Sequence, residues 1–217
     1  MAPVPEDASP ETALPMFPHG TVLFPGALLP LHVFEPRYRP LVQDCLAGEP
    51  EFGVVLIDRG HEVGGGDVRR PVGAVARILE VRELPDGRYL VQSAGVRRLR
   101  VRAWLDDTPY PRAEVEDWPD ERVGVVTAER VADVATRARR VRALASELHD
   151  GAGPLEIDIA DDPLLASYHL CAVAPVGPDD RYRLLSCPGP AERLDRLDEL
   201  LTDAEEVLTL RLQSGHG

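Results

Sequence analysis

The pattern of apolar and polar positions divides the chain into two regimes. From Leu14 to about Trp118, short apolar runs rich in Val are punctuated by Pro and Gly, the pattern of strands and turns. From about Asp120 onward, Ala, Leu, Arg and Glu recur at helical spacing, so a β half precedes an α half. Leu14 to Phe17 and Val22 to Val33 read as extended, and their prolines place them on edge strands or in loops, because proline cannot donate to a ladder. After Pro36, Tyr38, Leu41, Val42, Cys45 and Leu46 recur at steps of three and four, predicting one short amphipathic helix that stops at Gly48 and covers a barrel end. Phe52 to Ile57 predicts an apolar strand. The loop Asp58 to Arg70, with Gly64, Gly65 and Gly66 in a row, is expected to be exposed and mobile. Val72 to Leu84 and Arg88 to Ala103 predict two strands joined through Leu84-Pro85-Asp86-Gly87, where Asp-Gly supplies the positive φ angles of a tight hairpin. Within the second, Leu99, Val101 and Ala103 share one face and Arg98, Arg100 and Arg102 the other, predicting a core side and a wet side.

The second half predicts helices over about Val123 to His149, Pro163 to about Val173, a short stretch from Pro178, and Pro190 to about Leu212. Val131, Val134, Ala138, Val141, Ala145 and Leu148 stripe the first, which Gly151-Ala152-Gly153-Pro154 ends. Leu194, Leu197, Leu201, Ala204 and Leu208 stripe the last. Such stripes ordinarily pack within the chain, although a helix this long also offers a homodimer face.

Composition narrows the chemistry. The 217 residues are 44% hydrophobic, enough for a core. Acidic residues number 37 against 24 basic ones, and the net charge of -13 opposes broad capture of nucleic-acid backbones or anionic lipid. All the basic residues are Arg, so these residues hold no Walker A lysine, Schiff-base lysine or Ser-Lys dyad. The widely spaced Cys45, Cys171 and Cys187 form neither a disulfide framework nor a thiolate metal site, which points to a reducing cytoplasm. The start carries Glu6, Asp7 and Glu11 where a secretory signal needs basic residues and an apolar run, and it reads as a floppy leader. The most apolar stretch, Val22 to Leu31, is broken by Pro25, Gly26 and Pro30 and falls far short of the roughly 20 residues that span a bilayer.

Candidate catalytic features are weak when set against their contexts. His61-Glu62 lacks the second histidine of HExxH, since Gly65 stands there. Gly60 to Gly66 runs into a strand rather than the helix N-terminus that a phosphate cradle requires. Ser93 has only the second glycine of a nucleophile elbow. His19, His32, His149, His169 and His216 show no spacing that demands a common site. Arg88, Arg97, Arg98, Arg100 and Arg102 form a local basic stretch, expected to pair with acids on a neighbouring element or, alternatively, to contact RNA. The proline-rich apolar segment Leu14 to Leu46 suits peptide capture, because extended backbone keeps amides available for another chain, and it equally suits closure of the domain's own barrel.

Four ordered motifs in and after that segment resemble the N-terminal substrate-binding domain of Lon-type ATP-dependent proteases. They are Leu14-Pro15 with Phe24-Pro25 and Pro30-Leu31; Phe34-Glu35-Pro36-Arg37-Tyr38-Arg39; Val72-Gly73-Ala74-Val75-Ala76 leading to Leu84-Pro85-Asp86-Gly87; and Gly95-Val96-Arg97-Arg98. The resemblance implies an α+β fold: a PUA-like, mainly antiparallel β pseudobarrel followed by a C-terminal helical bundle. The expected division is a disordered leader over 1–12, a β subdomain over 13–118, a helical subdomain over 119–213 and a tail over 214–217. The resemblance further implies a module without the ATPase and Ser-Lys peptidase parts, needing no cofactor, that binds unfolded or partly folded polypeptide or a specific protein partner. It supplies no catalytic residue. Phe17, Phe24, Leu29 and Phe34 are the expected apolar contacts, Tyr38 an amphipathic one, with Glu35 and Arg37 orienting the bound chain. PUA-like barrels also resemble RNA-binding modules, which makes the Arg98, Arg100 and Arg102 row the alternative site.

Overall fold

The computed structural model describes residues 12–59, 68–121, 124–148 and 159–214. The expected leader up to Glu11, the His61-Glu62 and triple-glycine loop, His149, the Gly151 to Pro154 stop and His216 lie outside these residues. Two compact units emerge, one of Met1–Gly20 with Leu28–Pro119, the other of Thr21–Ala27 with Asp120–Gly217.

The first unit is the barrel. Its elements are β1 (Thr12–His19), β2 (Leu28–Val33), α1 (Tyr38–Ala47), β3 (Glu51–Arg59), β4 (Val68–Glu83), β5 (Tyr89–Trp104) and β6 (Arg112–Asp117). The order β2-β5-β4-β3-β1-β6, with a further β5–β6 pairing, closes five strands into a ring and leaves β2 outside it, paired to β5. Every pairing is antiparallel except β1 with β3. Leu14, Met16, Val55, Val75, Leu99 and Ala113 fill the interior.

Pairing corrects the reading of β1 as an edge or loop. It lies between β6 and β3, but Thr12 to Pro15 pairs with β6 and Met16 to His19 with β3. Each half thus pairs along one side, which is how a central strand carries Pro15 and Pro18 without forfeiting ladder bonds. β2 does keep the expected edge position. The strands also reach further into the expected loop, since Asp58 and Val68 to Arg70 are in β3 and β4 and Arg70 pairs with Asp58 at 2.6 Å.

The β4–β5 hairpin forms where Asp-Gly predicts it, with a different turn. Leu84 and Arg88 are bonded (N to O, 2.8 Å), Gly87 N donates to Leu84 O at 2.9 Å, and Gly87 takes φ of 76°. The loop is therefore three residues, Pro85, Asp86 and Gly87, with glycine at its left-handed position. Helix α1 buries Tyr38, Leu41, Val42 and Cys45 and ends at Gly48, while Leu46 is exposed. It covers the end where β3 and β5 begin: Cys45 Sγ bonds Glu51 O, and Gln43 donates to the Tyr89 hydroxyl.

The second unit is a bundle of α2 (Ala128–Glu147), α3 (Pro163–Val173), α4 (Pro178–Leu185) and α5 (Pro190–Ser214). Helix α2 begins later than its apolar pattern predicts because the Thr127 hydroxyl caps it, accepting from Arg130 N at 3.2 Å. Asp162 caps α3 in the same way, accepting from Leu165 N at 2.9 Å, with Pro163 in the first turn. Leu194, Leu197 and Leu201 are fully buried in this single chain, as are Val134, Ala138 and Val141, so the α5 stripe is used by intramolecular packing. Arg130 and Arg137 of α2 grip Asp198 of α5 at 3.0 and 2.6 Å. Among the described residues no helix is long and apolar enough to cross a membrane.

Candidate functional site

The chain leaves β2 at Val33 and turns into α1 through Phe34 to Arg37, with Tyr38 N bonded to Glu35 O at 3.1 Å. The turn swings Phe34 and Glu35 beside the end of β1. Between them lies a cleft of about 130 Å³, lined by Phe17 to His19, Pro30 to Val33, Phe34, Glu35 and Tyr38. Tyr38 is 3% exposed and forms part of the wall, its ring centroid 4.5 Å from that of Phe17, which also packs on Phe52 at 6.2 Å. Phe34 is 51% exposed and stands at the rim with its ring edge-on to His32. Glu35 is held by Arg37, whose Nε donates to Oε2 at 3.1 Å and whose guanidinium carbon lies 4.7 Å above the Tyr38 ring.

Of the seven expected contact residues, the cleft gathers Phe17, Phe34, Glu35 and Tyr38, and Arg37 buttresses it. Leu29 and Phe24 are corrections. Leu29 is buried on the inner face of β2, and its carbonyl accepts from the Ser93 hydroxyl at 2.8 Å. Phe24 is fully buried in the helical unit with Val22 and Leu23, its ring 6.4 Å from Tyr168. Both follow from apolar segments that sequence cannot assign to a wall or an interior. Tyr38 likewise is a packed residue rather than a projecting one. Sequence reasoning missed His19 and His32, which arrive at one cleft from two strands; their membership in the Pro- and apolar-rich segment was the available signal.

The arginine row is largely occupied. Arg98, expected on the wet face, is 2% exposed: its guanidinium stacks 4.3 Å from the Trp118 ring and donates to Pro119 O. Arg100 takes the same ring at 4.3 Å and Glu116 at 3.8 Å, and Arg102 pairs with Glu116. Arg97 bridges Glu51 and Asp117 at 2.6 and 2.8 Å. The pairing of Arg97, Arg100 and Arg102 with acids on β3 and β6 is the structural reading of the row. Ser93 is wholly buried and bonded to β2, and Ala103, expected inside, is exposed. Burial pushes the Cys45 thiol up to about 11, with the Asp44 charge adding to it, and pushes Cys171 up to about 12, so neither is a poised nucleophile. Among the described residues no three His, Cys, Asp or Glu side chains gather as a metal ion requires.

Comparison with known proteins places the chain in a family. The model for the ATP-dependent protease La (LON) substrate-binding domain matches residues 13–203. The crystal structure of a Lon N-terminal domain protein from Xanthomonas campestris superposes with a TM-score of 0.65 at 29% identity, covering 86% of this chain and 96% of that one. The N-terminal domain of a Mycobacterium avium complex Lon protease shares the fold, with a TM-score of 0.60 at 19% identity over 88% of this chain and 99% of that one. A Lon protease of Anaeromyxobacter dehalogenans is 30% identical over 202 residues, 91% of this chain and 24% of the relative. The chain thus spans about a quarter of that relative's length.

Proposed function

Since the chain belongs to the LON substrate-binding domain family, we propose that it is a non-catalytic module that captures unfolded or partly folded polypeptide, or a dedicated protein partner, at the β1–β2 cleft. The match over residues 13–203 carries the reading. The cleft supports it locally, because an exposed Phe34 beside packed Phe17 and Tyr38 rings is an apolar anchor with a rigid backing. The reading assigns no bond-breaking step to these residues, and the absence of lysine is consistent with that. Its place is the cytoplasm, which the wide spacing of Cys45, Cys171 and Cys187 supports.

The test is fluorescence anisotropy of a labelled, permanently unfolded polypeptide titrated with the protein. Saturable binding is expected, weakened about tenfold by Phe34→Ala with the unfolding temperature unchanged. Phe24→Ala, by contrast, is expected to cost about 3–5 kcal/mol of stability through loss of buried ring contacts. Lack of polypeptide binding overturns the capture reading and turns attention to a dedicated partner.

A further inference from the structure

Among the described residues, strand β2 carries a row of backbone groups on the side away from β5 that no other strand pairs with. Among the described residues its backbone pairs with β5 alone, and no turn, loop or cap bond reaches Leu28 to Val33. In an antiparallel pair, alternate residues direct their N–H and C=O away from the partner, so about half of these groups face the open side. Proline 30 removes one potential donor, and the remainder still form a pairing edge. Apolar side chains stand at both ends of this edge, Leu28 at 69% exposure and Phe34 at 51%.

The adjoining cleft presents a carboxylate, beside the imidazoles of His19 and His32. Among the side chains that line it, Glu35 is the one carboxylate and there is no guanidinium. Arg37 engages Oε2 of that carboxylate at 3.1 Å, which fixes its position beside the cleft. A chain carrying a net -13 adds long-range attraction for cations.

Resting on the capture reading above, we propose that the cleft's occupant is an extended polypeptide segment that adds to β2 as a further strand, seats an apolar side chain against Phe17 and Phe34, and presents a Lys or Arg side chain to Glu35. Main-chain bonds to β2 supply affinity that is independent of sequence, while the cleft and Glu35 select the apolar and cationic positions. Side chains two residues apart on a strand share a face, so a Phe and an Arg at that spacing reach both features together.

The experiment uses the full chain and short unfolded peptides that carry Phe and Arg two residues apart. Replacing the peptide's Arg by Glu is expected to weaken binding about tenfold. Glu35→Gln is expected to erase that difference while leaving the unfolding temperature within a few degrees of the parent. Arg37→Gln, which breaks the same ion pair but keeps the carboxylate, is expected to preserve the preference for the Arg peptide. Peptides N-methylated on one set of alternate amides are expected to bind about tenfold more weakly, and those methylated on the other set unchanged. Equal binding of the Arg and Glu peptides, or indifference to methylation on both sets, overturns the strand-addition proposal and leaves polypeptide capture standing. If neither these peptides nor an unfolded polypeptide binds, both fall.

Discussion

At the scale of single residues, the polar groups placed inside each unit decide how tightly it is held. Arg193 of α5 is fully buried, an outcome nothing in its apolar stripe predicts. It donates to the Ser167 hydroxyl at 2.8 Å and to the Leu184 carbonyl at 3.3 Å, pairs with Asp120, and lies 3.9 Å over the Tyr168 ring, whose hydroxyl also donates to Asp120. Removing one partner strands the other charge in the interior, so Asp120→Asn is expected to cost about 3 kcal/mol, read as a lower urea midpoint. Glu51 in the barrel shows the same logic with a pH signature. Burial raises its carboxyl, but hydrogen bonds and charge from Arg97 and Arg77 outweigh burial and hold it below its ordinary value of 4.5. A carboxyl lowered by folding stabilises above the unfolded value and loses that contribution as pH falls through the folded one. Stability is therefore expected to decline below pH 4.5, and Glu51→Gln to remove that part of the decline, measured by urea unfolding across the acid range.

At the scale of elements, close approach and capping set where each strand and helix lies. A Cβ on Gly73 would stand 2.1 Å from the Val54 carbonyl oxygen, a backbone atom within the β3–β4 ladder that cannot yield without shifting the pair. Gly73→Ala is expected to cost about 3 kcal/mol, whereas Gly87→Ala in the hairpin, where the obstacle is the end of the Arg39 side chain, is expected to cost about 1 kcal/mol for its positive φ. Chemical denaturation of the two variants gives the comparison, and equal losses would count against close strand approach as the controlling effect. Helix α3 ends on arginines: Arg181 donates to the carbonyls of Ala172, Ala174 and Val176, and Arg142 to that of Val173. The α3 start was legible because Pro163 is a local signal, whereas the guanidiniums at its end come from α4 and α2 and leave no local trace.

At the scale of the whole molecule, charge and the occupied arginine row argue together. A net charge of -13, with Arg97, Arg100 and Arg102 already paired to carboxylates, predicts no saturable RNA binding at physiological salt. An RNA titration beside the polypeptide one checks this; RNA affinity that falls steeply with salt and drops on Arg102→Ala would restore the alternative site. The β-then-α order was legible from periodicity, since the six strands precede α2 to α5 in the chain. The assignment of Thr21–Ala27 to the helical unit was not, because an apolar run between two strands reads the same whether it packs on a sheet or on helices.

What the sequence determined by itself was therefore local and periodic: the strands and helices, the Pro163 helix start, the Gly87 hairpin, the family motifs, and an acidic, lysine-free chain. Tertiary structure decided the closure of five strands into a ring, the inward turn of Arg98 and Arg193, the loss of Phe24 and Leu29 to the interior, and the meeting of Phe17, His32, Phe34 and Glu35 around one cleft. The reason is physical. A side chain's period and propensity are properties of its neighbours in the chain, whereas its burial and its partners depend on residues far away in sequence that only the closed fold brings within reach.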